Sequence, residues 1–326
     1  MQGRLTPMSD DSTPANQGKL IREIGVAGAV LLGLGSMVGT GVFVSVGIAA
    51  GVAGPAVVAA TVIAGLLAAA NGMSSAQLAA AHPVSGGTYE YGYLWLNPTL
   101  GFSAGWMFML AKSASAATAA LGLSGYLLDL AGGESGLVRT GLAVTAALAI
   151  TAFVAGGIRR SNRGNAVVVG VALLGLGLLI LFSFPVVISP EGGARFLPLL
   201  PGPTDGGIPA LLHGSALMFV AFTGYGRVAT LGEEVRDPGR VIPRAVIATV
   251  AVVTLLYLGI ATSGVGVLGA EAFGAAAERT AAPLDAVALG LGMPWLAGVL
   301  GVAAVAAMAG VLLNLVLGLS RVLLAM

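Results

Sequence analysis

Eight long apolar stretches dominate the sequence and limit what the chain can fold into. We place them at 24–49, 55–80, 99–130, 137–156, 165–188, 209–232, 243–267 and 295–322. A bilayer core about 30 Å thick requires a helix of roughly 20 apolar residues, because backbone groups without hydrogen bonds are prohibitively costly in hydrocarbon. The pattern therefore predicts an all-α integral membrane protein with eight transmembrane helices.

The composition excludes several other classes of protein. Of the 326 residues, 57% are hydrophobic and 9% charged, against roughly 25% charged residues in soluble domains. A net charge of +1 gives no basic surplus for nucleic acid. His82 and His213 stand alone and cysteine is absent, so we predict no metal site and no cofactor. No span pairs a nucleophile with a base, so we predict no enzymatic activity.

The cations predict the orientation of the chain, because short cytoplasmic loops collect Lys and Arg. With residues 1–23 as a disordered cytoplasmic tail, the outer loops hold only Arg139, Arg195 and Arg279. The inner side holds ten cations: Arg4, Lys19, Arg22, Arg159, Arg160, Arg163, Arg236, Arg240, Arg244 and Arg321. This asymmetry predicts a multi-pass protein of the cytoplasmic membrane with its N-terminus inside.

The first apolar stretch contains the sequence's strongest signal for a broken helix. Four of the nine residues in Gly33–Gly41 are glycine, and each costs about 1 kcal/mol of helix propensity relative to alanine. Unwound backbone at mid-membrane is tolerated only where it lines a protein cavity. Its free N–H groups can hold a carboxylate and its carbonyls an ammonium, which together match an amino acid.

The glycines alone also fit a second interpretation. Gly35 and Gly39 have the small-xxx-small spacing of a close helix contact. A dinucleotide-binding fingerprint fits poorly, because neither the glycine spacing nor the surrounding pattern matches one. The sixth stretch is interrupted in the same way at Phe222–Gly226. Two interrupted helices in corresponding positions favour a binding site between two halves of a transporter.

Three stretches resemble the amino acid, polyamine and organocation (APC) transporter superfamily, in particular its bacterial amino acid permeases. They are Gly35–Phe43, then Pro83–Tyr89 with Gly101–Trp106, and finally Phe222–Arg244. The resemblance implies a leucine-transporter-type fold with two inverted five-helix repeats, substrate between helices one and six, and alternating access. Residues 24–188 would form the first repeat, and 209–326 would form three of the five helices of the second.

The same resemblance implies roles for particular residues. The substrate would bind to Gly35, Ser36, Met37, Val38, Gly39, Thr40, Gly41, Phe222, Thr223, Gly224 and Tyr225. The first-helix residues would receive its carboxylate and part of its ammonium, and the sixth-helix residues would supply carbonyls and an aromatic gate. A cytoplasmic gating network would comprise Glu233, Glu234, Asp237 and Arg240.

Two cations, Lys112 and Arg227, fall inside predicted spans. A charge at that depth costs at least about 2.5 kcal/mol unless it is paired or wetted. Either side chain can snorkel or cap helix carbonyls. Alternatively, Lys112 acts in place of a coupling cation, since a buried lysine changes its protonation readily. Positive charge near the site favours a neutral or acidic amino acid over arginine or a polyamine.

Together these features predict a secondary active transporter that moves an amino acid by alternating access, coupled to protons or by exchange. Its partners would be an amino acid or amine, a proton and the lipid bilayer, but no nucleic acid. The family fold has ten core helices, so we expect the chain up to Met326 to be either a fragment of a longer permease or a short form that assembles with another chain. A non-transporting amino acid sensor is the alternative function.

Overall fold

The computed structural model describes residues 24–83, 87–132, 136–156, 158–199, 206–230, 232, 234–280 and 282–326. The predicted N-terminal tail, residues 1–23, lies outside them. So does Glu233 of the predicted gating network.

The described residues form helices joined by short connections. The α-helices are α1 Val26–Met37, α2 Val46–Ala53, α3 Val57–Ala81, α4 Thr88–Trp95, α5 Pro98–Ala131, α6 Gly136–Ala155, α7 Ile158–Val187, α8 Pro190–Ala194, α9 Gly207–Phe222, α10 Gly226–Ala229, α11 Pro238–Leu268, α12 Ala270–Arg279, α13 Pro283–Gly290 and α14 Pro294–Ala325. A π-helical turn, Gly41–Ser45, precedes α2, and 3₁₀ turns occupy Gly54–Ala56 and Thr223–Tyr225. Extended pairing in this part of the chain is confined to a single bridge between Ile24 and Val235.

Several of these helices have the length and composition to cross a membrane. Within the described residues there are six such segments: Gly41–Ala81, Gly136–Ala155, Gly164–Val187, Gly207–Ala229, Pro238–Leu268 and Pro294–Ala325. The structure thus confirms an all-helical chain rich in apolar helices of spanning length.

The six segments divide the chain differently from the eight predicted spans. The helix α1 has 12 residues, too few to span alone, and the helical run after the break continues through Gly54–Ala56 into α3. The helix α5 is 34 residues long but falls outside the six, because Lys112, Asp129 and several hydroxyl side chains make it less apolar. The division into eight spans stays a prediction.

Small residues bring the long helices together. The helix α11 packs against α3 and α7, and α14 packs against α5 and α7. A Cβ on Gly175 of α7 would lie 2.6 Å from the Ala303 methyl group of α14, and one on Gly65 of α3 would lie 2.7 Å from the Thr254 hydroxyl of α11. Such close approach supplies the van der Waals contact that replaces hydrophobic driving force between helices in lipid.

A backbone-to-backbone contact joins the shorter helices α2 and α12. A Cβ on Gly274 would overlap the Cα of Gly51, so the two helix backbones touch. Because backbone atoms cannot rotate away as a side chain can, this position has no room for any other residue.

We therefore expect Gly274→Ala to lower the thermal unfolding midpoint of the purified protein in detergent. The added methyl group forces α2 and α12 apart, which outweighs the gain of about 1 kcal/mol in helix propensity. Gly177→Ala is the matched control, because a Cβ there meets no atom within 4 Å. An equal or higher midpoint for Gly274→Ala than for Gly177→Ala would contradict the contact.

Candidate functional site

The first helix break separates α1 from the π-helical turn. The helix α1 ends at Met37, and Val38 takes an extended conformation with φ −80° and ψ 98°. The break leaves three backbone N–H groups that donate no backbone hydrogen bond within the described part of the chain, those of Gly39, Thr40 and Gly41. They are free to bind a ligand, as N–H groups at a helix start commonly do.

The second break interrupts the helical segment Gly207–Ala229. There the 3₁₀ turn Thr223–Tyr225 separates α9 from α10. A Cβ on Gly224 would overlap the carbonyl oxygen of Ser36, so glycine is required for the two breaks to lie in direct contact.

Tyr257 of α11 joins the two breaks. Its single O–H is shared between two carbonyls: the hydroxyl oxygen lies 2.7 Å from that of Met37 and 3.1 Å from that of Ala221. Its ring packs against Phe222 with centroids 4.9 Å apart, and the residue is fully buried. One side chain therefore provides a donor to carbonyls from both interrupted helices.

A cavity of about 140 Å³ lies beside the two breaks, large enough to hold several water molecules. From α5 it is lined by Lys112, Ser115 and Thr118, and from α14 by Val311 and Leu315. Six of the predicted substrate-binding residues line it: Ser36, Met37, Thr40, Gly41, Thr223 and Gly224. The fold thus brings both predicted segments to one partly polar cavity.

The other five predicted substrate-binding residues lie behind the cavity wall. Val38 and Phe222 are fully buried, and Tyr225 lies near Gly72 of α3. A Cβ on Gly35 would overlap the amide oxygen of Asn165, and one on Gly39 would lie 2.5 Å from the Val311 side chain. Gly35 and Gly39 therefore contact neighbouring helices closely, as the small-xxx-small spacing predicts. The break itself is formed by the residues between and after these two glycines.

Lys112 and Arg227 both line a second, adjoining cavity of about 30 Å³. Lys112 Nζ donates to the carbonyl of Thr223 at 3.2 Å, as in the predicted capping of a helix carbonyl. Arg227 donates to the hydroxyl of Thr230 at 3.0 Å.

The predicted gating residues divide into a buried pair and an exposed pair. Glu234 accepts a hydrogen bond from Arg321 of α14 at 2.9 Å, with both side chains largely buried. Arg240 Nε lies 3.9 Å from Asp237 Oδ2, and both side chains are exposed. Their electrostatic attraction is therefore weak. Beside the buried pair, Ile24 exchanges backbone hydrogen bonds with Glu234 and Arg236. We call Ile24, Glu234 and Arg321 the inner clamp.

Sequence reasoning missed three polar residues of this region: Tyr257, Asn165 and Asn314. Asn314 Nδ2 donates to Asn165 Oδ1 at 2.5 Å, and Asn165 Nδ2 donates to the Leu31 carbonyl at 3.0 Å. Tyr257 and Asn314 each stand as isolated polar residues in apolar runs. That isolation was the available signal, because polar groups within spans mark functional or structural contacts.

Comparison with known proteins now decides the family. A family model described as amino acid permease matches residues 28–326. The chain belongs to the amino acid permease family, within the APC superfamily. Membership and the apolar helices make it a multi-pass membrane protein, and they indicate a transporter class instead of an enzyme class. Among the described residues, no three His, Cys, Asp or Glu side chains cluster as a metal site requires.

Individual relatives have related names. An uncharacterized transporter of Mycobacterium tuberculosis is 37% identical over 308 residues, which cover 94% of this chain and 66% of the relative. The branched-chain amino acid permease BcaP of Bacillus subtilis is 29% identical over 326 residues, covering 94% and 67%. A methylthioribose transporter of the same organism is 30% identical over 267 residues, covering 76% and 56%. The chain therefore spans about two thirds or less of the length of these relatives.

A carboxyl group with a shifted pKa lies in α13, outside the candidate spans. Asp285 Oδ1 is buried and has no hydrogen-bond partner in the described part of the chain. Burial, and then the nearby negative charge of Asp129, raise the pKa of Asp285 to about 7. Tyr126 of α5 is within electrostatic range of both acids, and its ring packs edge-on against Phe43 of the π-helical turn at 6.2 Å.

We expect Tyr257→Phe to lower the thermal unfolding midpoint, because it leaves the Met37 and Ala221 carbonyls without this donor. A buried acceptor left unsatisfied costs about 1–3 kcal/mol. The matched control is Tyr93→Phe, whose side chain is half exposed. The midpoints would be compared by thermal unfolding in one detergent, and equal values for the two variants would contradict the bridge.

Asp285 predicts a pH-dependent contribution to stability. An acid whose pKa is raised by folding stabilises the fold fully below its ordinary value of 3.8, and this contribution is lost as the pH rises through about 7. We expect the thermal unfolding midpoint of Asp285→Asn to increase relative to that of the wild-type protein as the pH rises over this range. Asp129→Asn should lower the pH at which the stabilising contribution of Asp285 is lost, because it removes the neighbouring negative charge. Parallel midpoint profiles for Asp285→Asn and wild type would contradict this origin.

Proposed function

We propose that the protein is a secondary transporter of an amino acid across the cytoplasmic membrane, with its N-terminus inside. The observation that carries this proposal is the meeting of two interrupted helices at one cavity, from which Ser36, Thr40, Thr223 and Gly224 are all accessible. Irregular backbone is costly in a membrane unless it serves such a cavity.

The cavity offers the two chemical groups that an amino acid needs. Of the N–H groups that lack backbone acceptors in the described part of the chain, those of Thr40 and Gly41 belong to residues that line the cavity, and with the positive end of the following helix they would hold the carboxylate. Carbonyls at the second break would hold the ammonium. The Thr223 carbonyl already receives Lys112, so the substrate ammonium would either use neighbouring carbonyls or displace this lysine.

The surroundings of the cavity support alternating access. A further cavity shares Thr40, Ser45 and Thr118 with it and extends to Arg139 and Arg279, which our orientation places outside. The inner clamp lies at the opposite end, where Arg321 holds Glu234 at 2.9 Å. In this arrangement substrate would enter from outside, and release inside would require the inner clamp to open.

The remaining features of the proposal rest on family membership and on the sequence. We propose the leucine-transporter-type arrangement of eight spans, with the first repeat at 24–188 and part of the second at 209–326, and coupling to protons or exchange. One relative named for branched-chain amino acids and the cations at the cavity make a neutral or acidic amino acid the preferred substrate.

Uptake of radiolabelled alanine, leucine, aspartate, glutamate and arginine into proteoliposomes tests this function. We expect saturable uptake of at least one neutral or acidic amino acid, increased by an inward proton gradient or by substrate preloaded inside. Gly224→Val should abolish uptake, because its side chain would separate the two breaks. Gly298→Val is the control, since a Cβ at Gly298 meets nothing within 4 Å.

Two outcomes would contradict the proposal. Binding of an amino acid without uptake or counterflow would favour the sensor. Activity found only when this chain is supplemented by the rest of a longer permease would place transport in the longer protein.

A further inference from the structure

The smaller cavity, of about 30 Å³, carries an unbalanced positive charge. The polar side chains in its wall are Ser36, Lys112, Arg227, Thr230 and Asn314. Two of these side chains are basic, and none of these described residues is acidic. The cavity adjoins the larger one, because Ser36, Lys112, Gly224 and Leu315 line both.

Arg227 is the side chain that most needs a partner. It is only 9% exposed, and its guanidinium stays charged because arginine does not lose its proton in proteins. Its guanidinium donates a hydrogen bond to Thr230 at 3.0 Å, while Nε has no partner among the described residues. A buried charge with one neutral partner is destabilising unless an anion joins it.

The nearest described acid does not supply that anion. Glu234 is within electrostatic range of Arg227, but its carboxylate is taken by Arg321 at 2.9 Å. Two arginines therefore share one glutamate in this part of the structure. Arg227 lines the cavity with a buried donor that has no partner among the described residues.

Asn314 provides a second unsatisfied group on the same wall. It is 1% exposed and its Oδ1 has no described partner, whereas its Nδ2 donates to Asn165 and to the Gly310 carbonyl. Lys112 approaches from α5 through its contact with Thr223. Capping of a carbonyl explains where Lys112 lies, but it leaves the unpaired Arg227 unexplained.

We propose that this cavity is an anion subsite, in which Arg227 and Lys112 bind one carboxylate-sized anion and Asn314 Oδ1 accepts a hydrogen bond from a water molecule beside it. This assignment rests on the proposed function for the source of the anion. Because the two cavities adjoin, the anion would be the side-chain carboxylate of a dicarboxylic amino acid whose backbone groups bind at the helix breaks. A free monovalent anion such as chloride has the same chemistry.

Thermal unfolding of the purified 326-residue chain measures binding without requiring transport. Alanine, aspartate, glutamate and sodium chloride would each be titrated in chloride-free methanesulfonate buffer. We expect aspartate or glutamate to raise the midpoint at concentrations at least about tenfold lower than alanine, because a charge-assisted hydrogen bond adds roughly 1.5–3 kcal/mol. If chloride stabilises and the dicarboxylic amino acids gain nothing over alanine, the subsite stands with a free anion as its ligand.

Variants assign the effect to this cavity. Arg227→Gln and Lys112→Gln should each weaken the dicarboxylate or chloride effect at least about tenfold, whereas Arg227→Lys should retain part of it. Arg244→Gln, which removes an exposed cation of α11, should leave it unchanged. If Arg227→Gln does not fold, Lys112→Gln still tests the cavity, because Lys112 is only partly buried.

The proposal is overturned if neither dicarboxylic amino acids nor chloride stabilise the wild-type protein beyond alanine. It is equally overturned if stabilisation survives both Arg227→Gln and Lys112→Gln, or Lys112→Gln where that is the only folded variant. Uptake of alanine or leucine in the transport experiment distinguishes a failure of the anion subsite from a failure of the proposed transport function. Uptake without anion-dependent stabilisation refutes the subsite alone, and anion-dependent stabilisation without uptake refutes transport alone.

Discussion

The hydrogen bonds from Tyr257 to the Met37 and Ala221 carbonyls are the interaction on which the arrangement of the site depends. Each interrupted helix has carbonyls that hydrocarbon cannot satisfy. A single buried hydroxyl, held on the uninterrupted helix α11, offers a donor to one carbonyl from each break. The same hydroxyl therefore holds backbone from both breaks against one buried side chain.

The other free backbone groups at the breaks divide into two kinds. Carbonyls are met by protein donors, as at Thr223, which receives Lys112. The N–H groups of Gly39, Thr40 and Gly41 have no backbone acceptor in the described structure. The free N–H groups offer donors to an anionic group directly, whereas a cationic group must use other carbonyls or displace Lys112 from that of Thr223. This asymmetry comes from the backbone and matches the positive charge of Lys112 and Arg227.

The local composition of the sequence was enough to locate the two helix breaks. It did not predict the contacts that hold them in place. Clustered glycines in Gly33–Gly41 predict loss of helix there, and α1 does end at Met37. The structure forms a π-helical turn at Gly41–Ser45 where only unwinding was expected, because a π turn retains some hydrogen bonds. Tyr257 and Met37 are 220 residues apart, and no periodicity or motif encodes that pairing. Such contacts arise from the packing of α11 between the two breaks, which one sequence alone does not specify.

Arg227 connects the substrate region to the inner clamp. It lines the smaller cavity and lies within electrostatic range of both Glu234 and Arg321, which bond to each other at 2.9 Å. Electrostatic interactions act over longer distances where water is scarce. Glu234 is therefore attracted by two arginines at once, and Arg227 and Arg321 repel each other across it. Any anion that neutralises Arg227 weakens both forces together, so the charge state of the cavity and the strength of the clamp are physically linked through this one side chain.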